Sequence, residues 1–277
     1  MTGSGDDRSE APLGVVAGRW RGIASFSQSV LCEKEPFNTK PLFGRVVARA
    51  CELLTDRLGT VPFVQVGAND GVHADHIFPF VRSGRWTGVL VEPAPIPFRR
   101  LVANYQGVAG LHFAQVAISP SEGGQTFYYV EGEDGLSSFS LDTIMSHAPK
   151  YDDLEGMIRT LDVPTTTLNA LCDDHGIAEP AVIAVDTEGT DDLVLETFSI
   201  ETRRPALVLF EHCHLSAGRS AALRDRLVDA GYRLIHDRHD ALAVKDGTFD
   251  AGEIDFLADV VSIARSNFPP GAGLDSL

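Results

Sequence analysis

Short apolar runs alternate with helical stretches along most of this 277-residue chain, and this alternation restricts the possible folds more than any other feature. Each run is bounded by turn residues and lacks a clean polar–apolar alternation, which is typical of a strand covered on both faces. The runs span residues 63–66, 89–91, 111–118, 181–185 and 206–210. Such strands joined by helices predict a doubly wound, Rossmann-like α/β fold with a parallel sheet.

Apolar residues recur at helical spacing in the segments before, between and after these runs. An amphipathic helix is expected before the first strand, because apolar residues recur at helical spacing from Leu42 to Leu54 and Gly59 follows as its end. Further helices are expected at residues 95–105, 190–199 and 216–230. The last of these is bracketed by Ser216 as N-cap and by Gly231.

The chain is expected to divide into three parts. Residues 1–37 are interpreted as a partly disordered tail and lead-in, 38–248 as the main domain, and 249–277 as a final helix and tail. Within the main domain, residues 125–130 (QTFYYV) predict an extra strand. The acidic, Gly- and Ser-rich stretch 131–159 shows weak periodicity and is interpreted as a variable loop near a ligand.

Charge limits the possible partners. The chain has 23 Lys and Arg against 39 Asp and Glu, a formal net charge of −16, which argues against nucleic-acid binding and against an anionic membrane surface. It suits a small neutral or cationic ligand, and it is compatible with a homodimer. The polar start of the chain has no signal-peptide pattern, and the four cysteines are widely spaced, so a cytoplasmic protein with reduced thiols is expected.

A glycine-bearing turn follows the first apolar run in the sequence VQVGANDG, residues 64–71. Glycines at such a place let the backbone turn sharply and approach a ligand closely. A helix is expected directly after it, with His73, Asp75 and His76 in its first turn and Pro79 constraining it. These three side chains are interpreted as mostly solvated.

An acid closes the second run, in the sequence VLVEP that ends with Glu92 and Pro93. In doubly wound folds an acid about 20 residues after the glycine turn accepts hydrogen bonds from ribose hydroxyls. The turn and the acid together predict a nucleoside-bearing cofactor.

The composition of the turn selects among such cofactors. A dinucleotide site needs the pattern G-x-G-x-x-G, whereas this turn places Asn69 and Asp70 where a pyrophosphate would lie. A negative side chain beside a pyrophosphate is unfavourable. S-adenosylmethionine has no phosphate and carries a sulfonium and an ammonium group, so it is the expected cofactor.

Two polar clusters follow later strands, where ligands bind in parallel sheets. Asp186 and Glu188 follow the fourth run, and Glu211 and His212 follow the fifth. We expect these four to be catalytic, with His212 or one of the acids as general base.

Beyond Glu211, an extended chain would place Cys213 on the same face as Glu211, and His212 and His214 on the other. A Mg²⁺ ion held by Asp186, Glu188, Glu211 and a histidine is chemically conceivable, but no ligand spacing demands it, so no metal ligand is assigned.

Taken together, the runs VQVGANDG, VEP, VAIS, AVDTEGTDDLVL and LFEHCH resemble, in order across residues 60–245, the FkbM family of S-adenosylmethionine-dependent methyltransferases. The resemblance implies a seven-stranded methyltransferase sheet whose last strand is antiparallel. It also implies O-methylation of a hydroxyl on a small molecule, such as a sugar, a polyketide or another secondary metabolite.

The resemblance also assigns site residues. The amino-acid part of the cofactor would lie on the glycine turn, the ribose on Glu92, the adenine on Ala117 and Ile118, and the acceptor near Asp186. The complete set of expected cofactor contacts is Gln65, Gly67, Ala68, Asn69, Asp70, Gly71, Glu92, Pro93, Ala117, Ile118, Ser138 and Asp186.

The chain departs from the family pattern at two positions. Gln65 replaces a usual acid and Ala184 replaces a common lysine. A binding module that keeps the cofactor pocket but has lost catalysis therefore stays open as an alternative. A nicotinamide-dependent oxidoreductase is the other alternative, although the phosphate turn does not match.

Overall fold

The structure is a computed structural model that describes residues 40–121, 123–250 and 252. The expected N-terminal tail, Cys32 and the final helix expected around residues 254–264 lie outside these residues. Within the described part, the helices are too short or too polar to cross a membrane.

Nine α-helices are formed by the described residues. They are α1 Lys40–Leu58, α2 Phe78–Arg82, α3 Pro95–Asn104, α4 Leu141–Met145, α5 Leu154–Met157, α6 Leu168–Asp174, α7 Asp191–Glu196, α8 Ile200–Arg203 and α9 Ala217–Asp229. The strands are β1 Val61–Val66, β2 Trp86–Val91, β3 Leu111–Ala114, β4 Ala117–Ile118, β5 Gln125–Val130, β6 Glu133–Ser138, β7 Ile158–Val163, β8 Thr165–Thr166, β9 Val182–Val185, β10 Leu207–Glu211, β11 Tyr232–His236 and β12 Asp240–Lys245.

Seven strands form the main sheet in the order β3-β2-β1-β9-β10-β12-β11. The neighbours from β3 to β10 pair in parallel, whereas β12 pairs antiparallel with both β10 and β11. The predicted doubly wound, seven-stranded sheet with an antiparallel last strand is therefore confirmed.

Both faces of this sheet are buried, which explains the apolar runs of the sequence. On β1, Phe63 packs into a core with α1, whereas Val64 and Val66 pack into a second core on the opposite face. Leu54 of α1 and Trp86 belong to the first core. A strand with no solvent face has no reason to alternate polar and apolar residues.

The third apolar run is one strand in the prediction and two in the structure. Residues 111–114 form β3 at the edge of the main sheet, whereas β4 leaves that sheet and pairs with β8. The backbone N–H of Ala117 donates to the carbonyl of Pro164 at 2.9 Å, and that of Ser119 to the carbonyl of Thr166 at 3.0 Å. Apolarity alone could not show this change of partner.

The stretch 131–159, expected as a loop, contains β6, α4, α5 and the start of β7. Strands β5, β6 and β7 form a separate antiparallel sheet. Val130, Leu136, Ile144 and Leu154 are buried together in a small core of their own. Because each element is only four to six residues long, none shows a recognisable period.

The helix expected directly after the glycine turn begins only at Phe78. The Asp75 carboxylate accepts hydrogen bonds from the backbone N–H groups of Ile77 at 2.8 Å and of Phe78 at 3.2 Å. Pro79 lies in the first turn of α2, where its missing N–H costs nothing. His73, Asp75 and His76 therefore precede the helix instead of lying in it.

Candidate active site

A cavity opens at the carboxyl ends of β1, β2, β9 and β10, the edge where parallel α/β sheets bind ligands. Strands β5 and β6 each contribute one residue to its wall, Phe127 and Ser137. Its walls are Gln65, Val66, Gly67, Ala68, Asn69, His73, Ala74, Asp75, His76, Glu92, Pro93, Val116, Ala117, Ile118, Phe127, Ser137, Phe139, Ala184, Val185, Asp186, Thr187, Glu188, Thr190, Leu209, Phe210 and Asp240.

The glycine turn is held against the neighbouring strands. The N–H groups of Gly67 and Ala68 both donate to the Val91 carbonyl, at 3.0 and 2.9 Å. Gly67 has φ +76°, and a Cβ at this position would lie 1.7 Å from the carbonyl oxygen of Asp186. Only glycine lets the two strand ends come this close, and the turn thereby presents Gly67, Ala68 and Asn69 to the cavity.

Two residues of the turn do not line the cavity, in contrast to the expectation. The Asp70 carboxylate accepts hydrogen bonds from the N–H groups of Val72 at 2.9 Å and His73 at 3.0 Å. At Gly71, a Cβ would lie 2.5 Å from the ring of Tyr105, whose hydroxyl donates to the Gly71 carbonyl. Asp70 and Gly71 shape the turn from behind.

Glu92 lies where an acid for ribose is expected. Its two carboxylate oxygens accept hydrogen bonds from the N–H groups of Asn69 at 2.9 Å and Ala94 at 2.8 Å. The side chain lines the cavity together with Pro93, and Glu92 is only 4% exposed. Burial raises the pKa of Glu92 to about 7.

An apolar wall stands next to Glu92. It contains Ala117 and Ile118, as expected, and also Phe127 and Phe139, whose rings meet edge to face at 5.2 Å between centroids. Flat apolar surfaces of this kind suit an aromatic base. The sequence alone does not identify Phe127 as a residue that lines the cavity, because an aromatic residue in a strand is expected to pack in the core.

Ser138, expected to contact the cofactor, does not line the cavity. It is 1% exposed, and its hydroxyl donates to the carbonyl of Glu188 at 2.9 Å and accepts from the N–H of Ser140 at 3.1 Å. Its neighbour Ser137 lines the cavity instead. Because side chains alternate along β6, adjacent serines have different surroundings.

Three expected acids lie close together, of which Asp186 and Glu188 line the cavity and Glu211 does not. One carboxylate oxygen each of Asp186, Glu188 and Glu211 lie within 4.8 Å of one another. Removal from bulk water, followed by the charges of Glu211, Asp191 and Glu188, holds the pKa of Asp186 well above its usual value. Burial and the Glu188 charge raise the pKa of Glu211 to about 7.

Glu188 lies in a strained turn that directs it toward His214. Its φ of +52° is in the left-handed region, which is uncommon for a residue other than glycine. The Nε2 atom of His214 lies 3.2 Å from the Glu188 Oε2 atom and 3.6 Å from the Glu211 Oε2 atom. Hydrogen bonds to Cys213 and Glu188 raise the pKa of His214 to about 11, which favours its imidazolium form beside these two acids.

His212, the expected base, is directed elsewhere. Strand β10 ends at Glu211, and the N–H of His212 donates to the His239 carbonyl at 2.8 Å. Its Nε2 atom lies 3.3 Å from the Asp237 carbonyl, its ring packs on His236, and it does not line the cavity. The alternation of an extended strand no longer applies after β10 has ended.

Asp191 has a role that sequence reasoning missed. Its place at the start of α7 is typical of a helix N-terminal acid, yet it is fully buried and connects the loop after β9 with the end of β10. It accepts hydrogen bonds from the Thr187 hydroxyl at 2.8 Å and from the Glu211 N–H at 2.9 Å. Burial raises the pKa of Asp191 to about 6.

The residues considered for Mg²⁺ come together, with His214 as the histidine. Ligand atoms of His147, Glu188 and His214 also lie within 4.8 Å of one another. In this arrangement the protonated His214 already supplies a positive charge between Glu188 and Glu211.

The chain was compared with solved structures, with known protein sequences and with protein-family models. The structure of methyltransferase FkbM from Methylobacillus flagellatus KT is 15% identical over 69% of this chain and 47% of that chain, with a TM-score of 0.41. The structure of an RNA methyltransferase from Salinibacter ruber in complex with S-adenosyl-L-homocysteine is 15% identical over 73% of this chain and 92% of that chain, with a TM-score of 0.36. The METTL16 MTase domain has 11% identity over 77% and 70%, with a TM-score of 0.44.

This chain thus spans about half the length of the FkbM structure, and the low scores identify no shared substrate. No curated protein sequence matches it significantly. The family model described as methyltransferase FkbM domain matches residues 65–234, from the middle of β1 into β11. This match covers more than half of the chain and includes the glycine turn, Glu92 and the acid cluster, and the chain therefore belongs to the FkbM methyltransferase family.

Proposed function

We propose that this protein transfers a methyl group from S-adenosylmethionine to a hydroxyl of a small molecule. The observation that carries the proposal is the charge of the cavity. Its lining contains five carboxyl side chains and, among the described residues, no lysine or arginine. A cationic donor fits such a lining, whereas a diphosphate does not.

The residues present fit this donor. The backbone of Gly67, Ala68 and Asn69 would bind its amino-acid end, Glu92 its ribose hydroxyls, and the apolar wall its adenine. When bound, S-adenosylmethionine supplies an electrophilic methyl group on a sulfonium. The chain's own contribution is to orient donor and acceptor in line and to exclude water.

Asp186 is the group that we place at the acceptor hydroxyl. It lines the cavity at the end of β9, and its raised pKa makes its carboxylate a stronger base than an ordinary aspartate. Glu188 and Glu211 stabilise nearby positive charge, and His214 holds both of them in place. His212 has no role in this proposal, since its ring faces Asp237.

The acceptor is proposed to be a small molecule and not a nucleic acid, because a net charge of −16 repels a phosphate backbone. The test incubates the protein with S-adenosylmethionine carrying a trideuterated methyl group and a metabolite mixture, followed by mass spectrometry. We expect a small molecule that gains one labelled methyl group. Labelled RNA, or no labelled product from any mixture, contradicts the proposal.

Two alternatives give different results in binding assays. A nicotinamide-dependent oxidoreductase would bind NADH, which a fluorescence titration detects. A binding module without catalysis would bind the donor but would not transfer its methyl group, so the detection of one labelled product excludes this alternative.

A further inference from the structure

Two oxygen atoms at one side of the cavity have no hydrogen-bond partner within the described part of the chain. They are Oε1 of Gln65 and Oδ2 of Asp75, and both atoms are buried. Gln65 is 7% exposed, and both side chains line the cavity. Buried acceptors without a donor are rare in folded proteins, so these two atoms indicate a ligand that donates hydrogen bonds.

The position of Gln65 in the sheet explains why this side of the cavity is open. Gln65 on β1 is the register partner of Ala184 on β9, so the two departures from the family pattern lie side by side. Ala184 also lines the cavity. The short side chain of Ala184 therefore borders the cavity directly beside Gln65.

Asp75 supplies a carboxylate on this side. Its Oδ1 atom accepts hydrogen bonds from the N–H groups of Ile77 and Phe78, which fixes the carboxylate, and the Gln65 amide group also interacts with this carboxylate, while Oδ2 has no hydrogen-bond donor of its own. Cys51, His76 and Tyr105 are ionisable groups near Asp75, and His76 pairs with Asp240 at 3.6 Å between Nε2 and Oδ2. The two atoms without a donor are thus one carboxylate oxygen and one amide oxygen. A primary ammonium group is able to donate a hydrogen bond to each of them.

We propose that Asp75 and Gln65 bind the α-ammonium group at the amino-acid end of the methyl donor. Gln65 lies near the end of β1, two residues before Gly67 in the turn that we assign to this part of the donor. Asp75 provides the negative charge that Gln65 lacks. The inference rests on the proposed function and adds the residues that recognise the donor's ammonium.

The test compares two ligands that differ in the amino-acid end. S-adenosylhomocysteine carries the ammonium, and 5′-methylthioadenosine lacks the whole amino-acid group. We expect Asp75→Asn to weaken calorimetric binding of S-adenosylhomocysteine by about 10- to 100-fold, the range for a lost charge-assisted hydrogen bond, and to leave that of 5′-methylthioadenosine within about 3-fold. Equal effects on both ligands, or no effect on either, overturn the inference.

Two further variants test whether the effect on binding comes from the charge at Asp75 itself. Adding Gln65→Glu to the Asp75→Asn variant restores one negative charge and is expected to recover most of the lost affinity for S-adenosylhomocysteine. Asp240→Asn removes an equal charge from the same side, but Asp240 pairs with His76, so its effect is expected to be smaller. An Asp240 effect equal to that of Asp75 contradicts direct binding. If neither ligand binds the wild-type protein, the proposed function fails instead.

Discussion

At the residue scale, Glu92 stabilises the fold in the position where we propose that it also binds the cofactor. Its carboxylate holds Asn69 and Ala94 by their N–H groups, so it shapes the turn before any ligand arrives. Each carboxylate oxygen has a second lone pair. The same buried acid can therefore accept hydrogen bonds from ribose hydroxyls at the cavity wall.

Replacing Glu92 by glutamine tests this role. Glu92→Gln keeps the shape and one acceptor oxygen but loses the charge, and it places an amide next to an N–H donor. We expect the affinity for S-adenosylhomocysteine to fall by about 10-fold or more, measured by calorimetry. Thermal unfolding serves as the control for folding. Unchanged affinity in a folded variant would disprove the assignment of ribose to Glu92.

Gly67 and Gly59 allow a controlled test of the close contact between the backbone at Gly67 and the Asp186 carbonyl. Both have φ +76°, but a Cβ at Gly59 meets nothing within 4 Å, whereas at Gly67 it meets the Asp186 carbonyl at 1.7 Å. Gly59→Ala is expected to cost about 1 to 2 kcal/mol for the left-handed backbone alone. Gly67→Ala is expected to cost several kcal/mol in urea unfolding, because overpacking adds to that strain. Equal costs would contradict the contact between the two strand ends.

At the scale of elements, the end of β10 determines which histidine lies beside the acids. The sequence predicts His212 as the candidate base, but the turn after Glu211 places His214 next to Glu188 and Glu211. We expect His214→Ala to lower kcat about 100-fold and His212→Ala to change it less than about 3-fold, measured on the labelled acceptor. The reverse ranking would show that the loop is placed differently.

The acid cluster also allows a prediction about metal. Because the His214 imidazolium lies between Glu188 and Glu211, we expect turnover to be unchanged after dialysis against EDTA. Activity that is lost with EDTA and restored by Mg²⁺ would mean that a metal ion, and not His214, balances these carboxylates.

The sequence predicts the elements of the main sheet better than those around it. Phe63 and Val64 face two different cores, and because both faces of the strand are buried, the sequence shows a continuous apolar run. By contrast, Leu136 and Ile144 belong to a small local core whose elements are too short to show a period. The site follows the same rule: Glu92 and Asp186 follow buried strands and are predictable, whereas the role of Asp75 depends on tertiary contacts with a turn.

For the molecule as a whole, the buried acids make stability depend on pH. The pKa values of Glu92 and Glu211 are about 7 and that of Asp191 is about 6 in the folded protein, above the ordinary values near 4. The folded state therefore binds these protons more tightly than the unfolded state. Their contribution to stability is present at low pH and is lost as pH rises from about 4.5 to about 7.

The Glu92→Gln variant isolates one part of this dependence. The free energy of unfolding of the wild type minus that of the variant is expected to decrease between pH 5 and pH 8 without ligand, since only the wild type has to bury a charge at pH 8. Urea unfolding at the two pH values measures it. A difference that stays constant or increases would contradict the raised pKa of Glu92.

The most direct test of the central claim is a calorimetric titration of the wild-type protein with S-adenosylhomocysteine and, separately, with NADH at neutral pH. We expect saturable binding of S-adenosylhomocysteine at one site per chain and no binding of NADH, because the cavity is lined by acids and lacks a phosphate turn. Binding of NADH without binding of S-adenosylhomocysteine would contradict it.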